Sequence, residues 1–181
     1  YDISRGKLHE MVEILYDKGY KDITSSVDGE NFFLAGYQQT IDQAYNCLVT
    51  KININLEVEW TLNFGNNYND GAYSIIDLDD GIGVTGYLQT SPGNKDLYIV
   101  KMDDSGILEW EKTFGGEKSD VGRAIISAEH GGMYVLGETN FSDKRDAEIW
   151  ILELSSDGNL IDSTTFGGEG LQIGYSFARS P

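Results

Sequence analysis

The chain has 181 residues, 40% of them hydrophobic, enough for a packed core within one domain or part of a larger one. Thirteen Lys and Arg against 30 Asp and Glu give a formal charge of −17, which opposes binding to nucleic acid and to anionic membranes, since both need a basic face. The sequence has no run of about 18 apolar residues for a membrane-spanning helix, its single cysteine excludes an intrachain disulfide, and 22 glycines with two prolines fit a soluble, turn-rich protein.

The chain starts at Tyr1 rather than Met and shows no signal peptide, so it reads as a processed or trimmed chain with any leader out of view. Residues 7–19 have two readings. Leu8, Met11, Val12 and Leu15 have helical spacing, with Gly19 as a C-cap. The repeat described below instead puts a strand at 11–15, and the strand is the expectation. Strand signals follow at 32–36 and 47–51. Cys47 lies in the second of these and reads as a small core residue rather than a nucleophile.

The next unit is clear. Residues 60–64 read as a strand, 65–71 as a polar loop and 72–78 as a second strand, with a turn at Asp79-Asp80-Gly81. Residues 82–88 read as a third strand, 89–95 as a longer loop holding Pro92 and Gly93, and 96–102 as a fourth strand. Asp103-Asp104-Ser105-Gly106 closes the unit. Asp-Gly and Ser-Gly pairs suit hairpins because glycine takes a positive φ without a Cβ clash.

The same elements then recur. Trp60 and Trp110 are 50 residues apart, as are Phe64 and Phe114, Asp96 and Asp146, and Lys51 and Lys101. Phe166 follows Phe114 by 52, and Gly36, Gly86 and Gly137 are separated by 50 and 51. The units are placed at about 10–59, 60–109, 110–161 and, incomplete, 162–181. A four-stranded meander cannot hide both of its faces alone, and lateral packing of such units around an axis removes the problem. The fold class expected is therefore all-β, with about 3.5 four-stranded antiparallel blades of a β-propeller. The ring would be completed by further repeats of a longer chain or by another copy. Glycines such as Gly83, Gly86 and Gly137 are expected where backbones approach closely.

Trp110 to Gly116, with Asp120, Gly131-Gly132, Gly137-Glu138-Thr139, Asp146 and Asp157-Gly158, resembles the repeat of secreted or cell-surface β-propeller proteins of bacteria and archaea. The stretch 60–106 follows the same pattern with Asn66 in place of the second glycine, and Glu153 and Ser155 stand in the third unit where Lys101 and Asp103 stand in the second. The resemblance covers about residues 20–178. It implies a propeller fold and an extracellular or surface setting, and it carries no catalytic residues. Kelch repeats also run about fifty residues, but only Gly131-Gly132 supplies their glycine doublet.

No catalytic constellation is visible. His9 and His130 sit in different units, and with one cysteine they form no zinc cluster. Asp77, Asp79, Asp80, Asp103 and Asp104 read as turn residues, with calcium as the alternative, although neither run has the spacing of a calcium loop. The turn before Trp110 departs from the sialidase Asp-box, with Met102 in its Ser place. Asp70 and Asp120 are expected to bind loop amides. No cofactor is implied beyond the calcium alternative. The expected function is a non-catalytic module binding a protein or glycan. Its candidate segments are 38–43, 89–95 and 140–145, which vary in length and chemistry on a repeated frame. The alternatives are the propeller part of a glycoside hydrolase or lyase whose site needs missing blades, and a structural spacer.

Overall fold

The computed structural model describes residues 19–140 and 147–179. They form three four-stranded antiparallel meanders. The first sheet holds β1 (Tyr20–Ser25), β2 (Asn31–Gln39), β3 (Tyr45–Asn53) and β4 (Val58–Phe64). The second holds β5 (Gly71–Leu78), β6 (Gly81–Ser91), β7 (Asn94–Met102) and β8 (Leu108–Phe114). The third holds β9 (Asp120–Ser127), β10 (Met133–Thr139), β11 (Glu148–Leu154) and β12 (Leu160–Phe166). The sequence segment 7–18, with its helix-or-strand choice, lies outside the described residues.

Every strand expected within 60–102 is present, but units and sheets are offset by one strand. Residues 60–64 belong to β4, which pairs with β3 and so closes the first sheet instead of opening the second. The loop expected at 89–95 is also shorter. β6 runs to Ser91 and β7 starts at Asn94, leaving Pro92 and Gly93 as a two-residue turn with Gly93 at φ 86°. Proline presets the first corner of such a turn and glycine supplies the positive φ of the second.

The outer hairpin of each sheet turns in one way. Asp103 Oδ1 accepts from the amides of Ser105 (2.9 Å) and Ile107 (2.8 Å), and Gly106 takes φ 81°. Asn53 does the same for Asn55 and Glu57 in the first sheet, and Ser155 Oγ accepts from Asn159 in the third.

Alternation along the strands gives the middle sheet two apolar faces. Tyr98, Val100 and Met102 of β7 pack with Phe33, Ala35, Cys47 and Val49 of the first sheet. Leu97 and Ile99 pack with Ile125, Met133, Val135, Leu152 and Leu154 of the third. β5 packs against β1, β2 and β3, and β9 packs against β5, β6 and β7.

The two joints use equivalent residues. Trp60 Nε1 donates to the carbonyl of Asp104 at 3.2 Å, and Trp110 Nε1 donates to that of Ser156 at 2.9 Å. In each case the indole of an outer strand rests on the turn glycine of the following sheet. A Cβ on Gly158 would lie 2.8 Å from the Trp110 ring, and one on Gly106 would lie 2.6 Å from Leu62 and 3.5 Å from the Trp60 ring. Phe64 and Phe114 are likewise packed against the following sheet's core. Phe166, at the matching place in β12, is 53% exposed, and Asp162 stands where the tryptophans stand.

Beyond β12 the chain keeps to the path of the earlier connections without forming a strand among the described residues. Gln172 N donates to Ala147 O, as Asp70 N does to Tyr45 O. Gly174 lies against Leu136 of β10, as Gly122 lies against Thr85 of β6.

Candidate functional site

The variable segments fall at one end of the sheets. Segment 38–43 ends β2 and leads toward β3, 89–95 surrounds the β6–β7 turn, and Asn140 follows β10. Residues 141–145 of the third segment lie outside the described residues. The β4–β5 and β8–β9 connections reach the same end and are tied to these segments. Tyr45 N donates to Asn69 Oδ1, Asn66 Nδ2 to Gln89 O, and Ser119 Oγ to Gly93 O.

Asp70 and Asp120 are buried and bind loop amides, as expected from the sequence. Asp70 accepts from Asn66 N (2.6 Å) and Gln89 N (2.8 Å), and Asp120 accepts from Gly116 N (3.0 Å). Burial pushes both carboxyls above their ordinary range in spite of these bonds. In the third connection Gln172 Oε1 takes the same role toward Gly168 N. The loops are thus held from below, while Ile41 (97% exposed), Tyr45 (38%) and Tyr68 (42%) stand at this end with large apolar groups in solvent.

Beside the loops runs a row of side chains that the sequence did not single out. Each inner strand carries a bulge at one position, occupied by Lys21, Tyr73 and Arg123. The bulge presses the inner strand onto the next one, and a Cβ at Gly86 would meet Gly71 O at 1.9 Å. Each bulge residue meets the residue after that glycine. The Lys21 ammonium lies 5.0 Å from the Tyr37 ring centroid, the Tyr73 and Tyr87 rings are 5.5 Å apart, and Arg123 Nη2 reaches Glu138 Oε1 at 2.5 Å. The sheets also meet within the row, with Arg123 5.0 Å from the Tyr73 ring.

The opposite end carries a cleft of about 270 Å³ between the first and second sheets. Its lining includes Phe33 and Leu78 as apolar surface, Lys51, and the carboxylates Asp28, Asp77, Asp79 and Asp104. Three separate turns therefore bring their acids together. Asp77 Oδ2 accepts from Val27 N at 2.6 Å, and its carboxyl is held above the ordinary range by burial and by neighbouring Asp104, Asp28 and Asp79. Lys51 pairs with Glu59 at 3.1 Å. Of the other acids named from the sequence, Asp80 pairs with Lys101 and Asp103 is occupied in its own turn. Among the described residues, no group of three or more His, Cys, Asp or Glu side chains is arranged to hold a metal ion.

Cys47 is buried, and burial pushes its thiol far above the ordinary range, which suits a core residue and not a nucleophile. His130 sits exposed in a short 3₁₀ turn with φ 56°, while His9 lies outside the described residues. No helix among the described residues is long and apolar enough to cross a membrane. Neither a protein-family model nor a curated protein matches the sequence.

Proposed function

We propose that the three sheets are successive blades of a β-propeller and that the chain acts as a non-catalytic repeat module of a surface or secreted protein. Its loop end binds a protein or glycan partner. The observation that carries the fold reading is the repeated joint, in which Trp60 and Trp110 each seat on the glycine turn of the next sheet. One joint used twice relates successive sheets in the same way, and such a repeated relation closes into a ring where it is a rotation about a single axis. The open face at Phe166 and the path of 167–174 fit a further blade. The resemblance to surface propeller repeats accords with this reading.

The binding reading rests on the loop end, where a fixed frame of buried Asp70 and Asp120 supports exposed Ile41, Tyr45 and Tyr68. Tyrosine offers large contact area at low entropic cost, which suits a binding face. A glycan array and a pull-down with the chain and its Ile41→Ser/Tyr45→Ser/Tyr68→Ser variant test this. A ligand retained by the native chain and lost by an equally stable variant supports it. A ligand retained by both, or no ligand in either assay, counts against it.

One observation favours the alternative of a glycoside hydrolase. Two acids of the cleft do not recur, since Ser127 and Ser156 hold the places of Asp77 and Asp104 at the second joint. Turnover of aryl glycosides that Asp77→Asn abolishes would support that alternative.

A further inference from the structure

We infer that segments 37–45, 65–69 and 89–94 form one binding surface for a neutral hexopyranose chain, built around the exposed rings of Tyr45 and Tyr68. The inference rests on the loop end being the binding face and names the ligand class there.

One buried residue fixes the three segments relative to one another. Asp70 N donates to Tyr45 O at 2.6 Å, and its carboxylate accepts from Asn66 N at 2.6 Å and from Gln89 N at 2.8 Å. Side chains add further links between the segments. Tyr45 N donates to Asn69 Oδ1 at 3.0 Å, Asn69 N to Gln89 Oε1 at 3.3 Å, and Asn66 Nδ2 to Gln89 O at 2.7 Å. Tyr37 braces Tyr45, the two rings meeting edge to face with centroids 5.4 Å apart at 86°. Tyr68 N donates to Asn66 Oδ1 at 2.8 Å, so the backbone that carries the second exposed ring is held as well. A surface fixed before binding loses less freedom when its ligand arrives.

The chemistry of this surface is unlike that of the chain around it. Of its 20 residues eight are Asn or Gln, three are Tyr and one, Asp42, is charged, whereas the whole chain is 24% charged. The frame does not demand this composition. At the second joint the equivalent loop is held by Asp120 in the same way, yet Lys95, Glu117 and Lys118 stand there in the places of Tyr45, Asn67 and Tyr68. The tyrosines and amides of the first joint are therefore additions to the repeat and not parts of its scaffold.

A hexopyranose matches these additions. Its C–H groups pack on an aromatic face, while each hydroxyl is both a donor and an acceptor. A side-chain amide offers both functions from one planar group, and Gln38, Gln43 and Asn67 are exposed within the segments. An acidic sugar is repelled by Asp42 and by the net charge of −17. A protein partner fits less well, because protein interfaces are enriched in Trp, Met and Arg beside Tyr, and the three segments hold none of these.

The test is an NMR titration of the chain with cellohexaose, maltohexaose and mannohexaose, following the tyrosine ring protons and the Asn and Gln side-chain amides, with hexagalacturonate as the acidic comparison. Saturable shifts of Tyr45 and Tyr68 with at least one neutral hexaose are expected, with hexagalacturonate weaker. Tyr68→Ala should weaken binding about tenfold and Tyr68→Phe by no more than about threefold, since the second keeps the ring. Asn67→Glu, which installs the charge found at the second joint, should weaken it as well. Both positions are exposed, so thermal unfolding should show these variants as stable as the native chain. No saturable shift with any neutral hexaose, equal binding by Tyr68→Ala, or hexagalacturonate binding as tightly as the neutral chains would each overturn the inference. A protein partner that depends on Ile41, Tyr45 and Tyr68, found where the neutral hexaoses fail, overturns it and leaves the broader binding reading intact.

Discussion

Replacing Trp110 with alanine removes one side of the joint between the second and third sheets. The bond from Nε1 to Ser156 O, at 2.9 Å, contributes about 1 kcal/mol net. The ring is partly buried against Leu152, Leu154 and their neighbours. A fully buried tryptophan costs about 3–5 kcal/mol on truncation, and roughly half of that applies here, so the total is about 2–4 kcal/mol. Trp110→Phe keeps most of the ring and is expected to cost about 1–2 kcal/mol. Urea unfolding followed by far-ultraviolet circular dichroism measures both. Trp60→Ala should cost a similar amount or slightly less, given its longer bond of 3.2 Å. Asp162→Ala is the control. It occupies the same place in β12, is exposed, and should change stability by less than about 0.5 kcal/mol. A Trp110→Ala cost under about 1 kcal/mol, or an Asp162→Ala cost equal to it, would refute the claim that these residues form the joint.

Further outcomes follow from the same geometry. Gly158→Ala should cost more than Gly93→Ala. Both glycines have positive φ, 75° and 86°, but only the Gly158 methyl meets the Trp110 ring, so the difference measured by thermal unfolding isolates the packing contribution. Asp120→Ala should destabilise by about 1–3 kcal/mol by leaving the Gly116 amide without its acceptor, whereas Gln172→Ala, with its longer bond of 3.3 Å at the open end, should be nearly neutral. Asp70, Asp77, Asp96 and Asp120 all have carboxyls held above the ordinary value of 3.8 by burial. The folded chain then binds protons more tightly than the unfolded one, so stability is lost as pH rises from that value through the raised ones, and mutual repulsion of the −17 charge acts in the same direction. The melting temperature should therefore be higher near pH 5 than near pH 7, and a lower one at about pH 5 would contradict this account. Cys47 should resist thiol reagents until the chain unfolds, and Cys47→Ser should cost about 1–3 kcal/mol by burying a hydroxyl.

Much of the frame was legible because fifty-residue periodicity and two-residue strand alternation are local signals. The expected strands from 60 to 102 all lie inside observed ones. A period does not fix its phase, and here the strand holding Trp60 closes one sheet instead of opening the next. The clue lay in the connections. β3 reaches β4 through a tight turn closed by Asn53, whereas β4 reaches β5 through a longer loop held by Asp70. The segment 89–95, which holds Pro92 and Gly93, reads as a longer loop, yet these two residues need only the two corners of a tight turn. Sites fared less well, since they depend on sheets meeting. Asp77, Asp79 and Asp104 stood out as turn acids, but Asp28 joins them only through packing of the first sheet on the second. Lys21, Tyr73 and Arg123 gave no signal because a bulge breaks the alternation that assigns a face.

The central claim is that neighbouring sheets meet through one repeated contact. Nuclear Overhauser spectroscopy on the carbon-bound protons of the indole rings addresses it directly in solution. The Trp60 indole should show contacts to the α-protons of Gly106 and the Trp110 indole to those of Gly158. Indoles that contact only residues of their own sheets, or that contact unrelated partners in the two places, would contradict it.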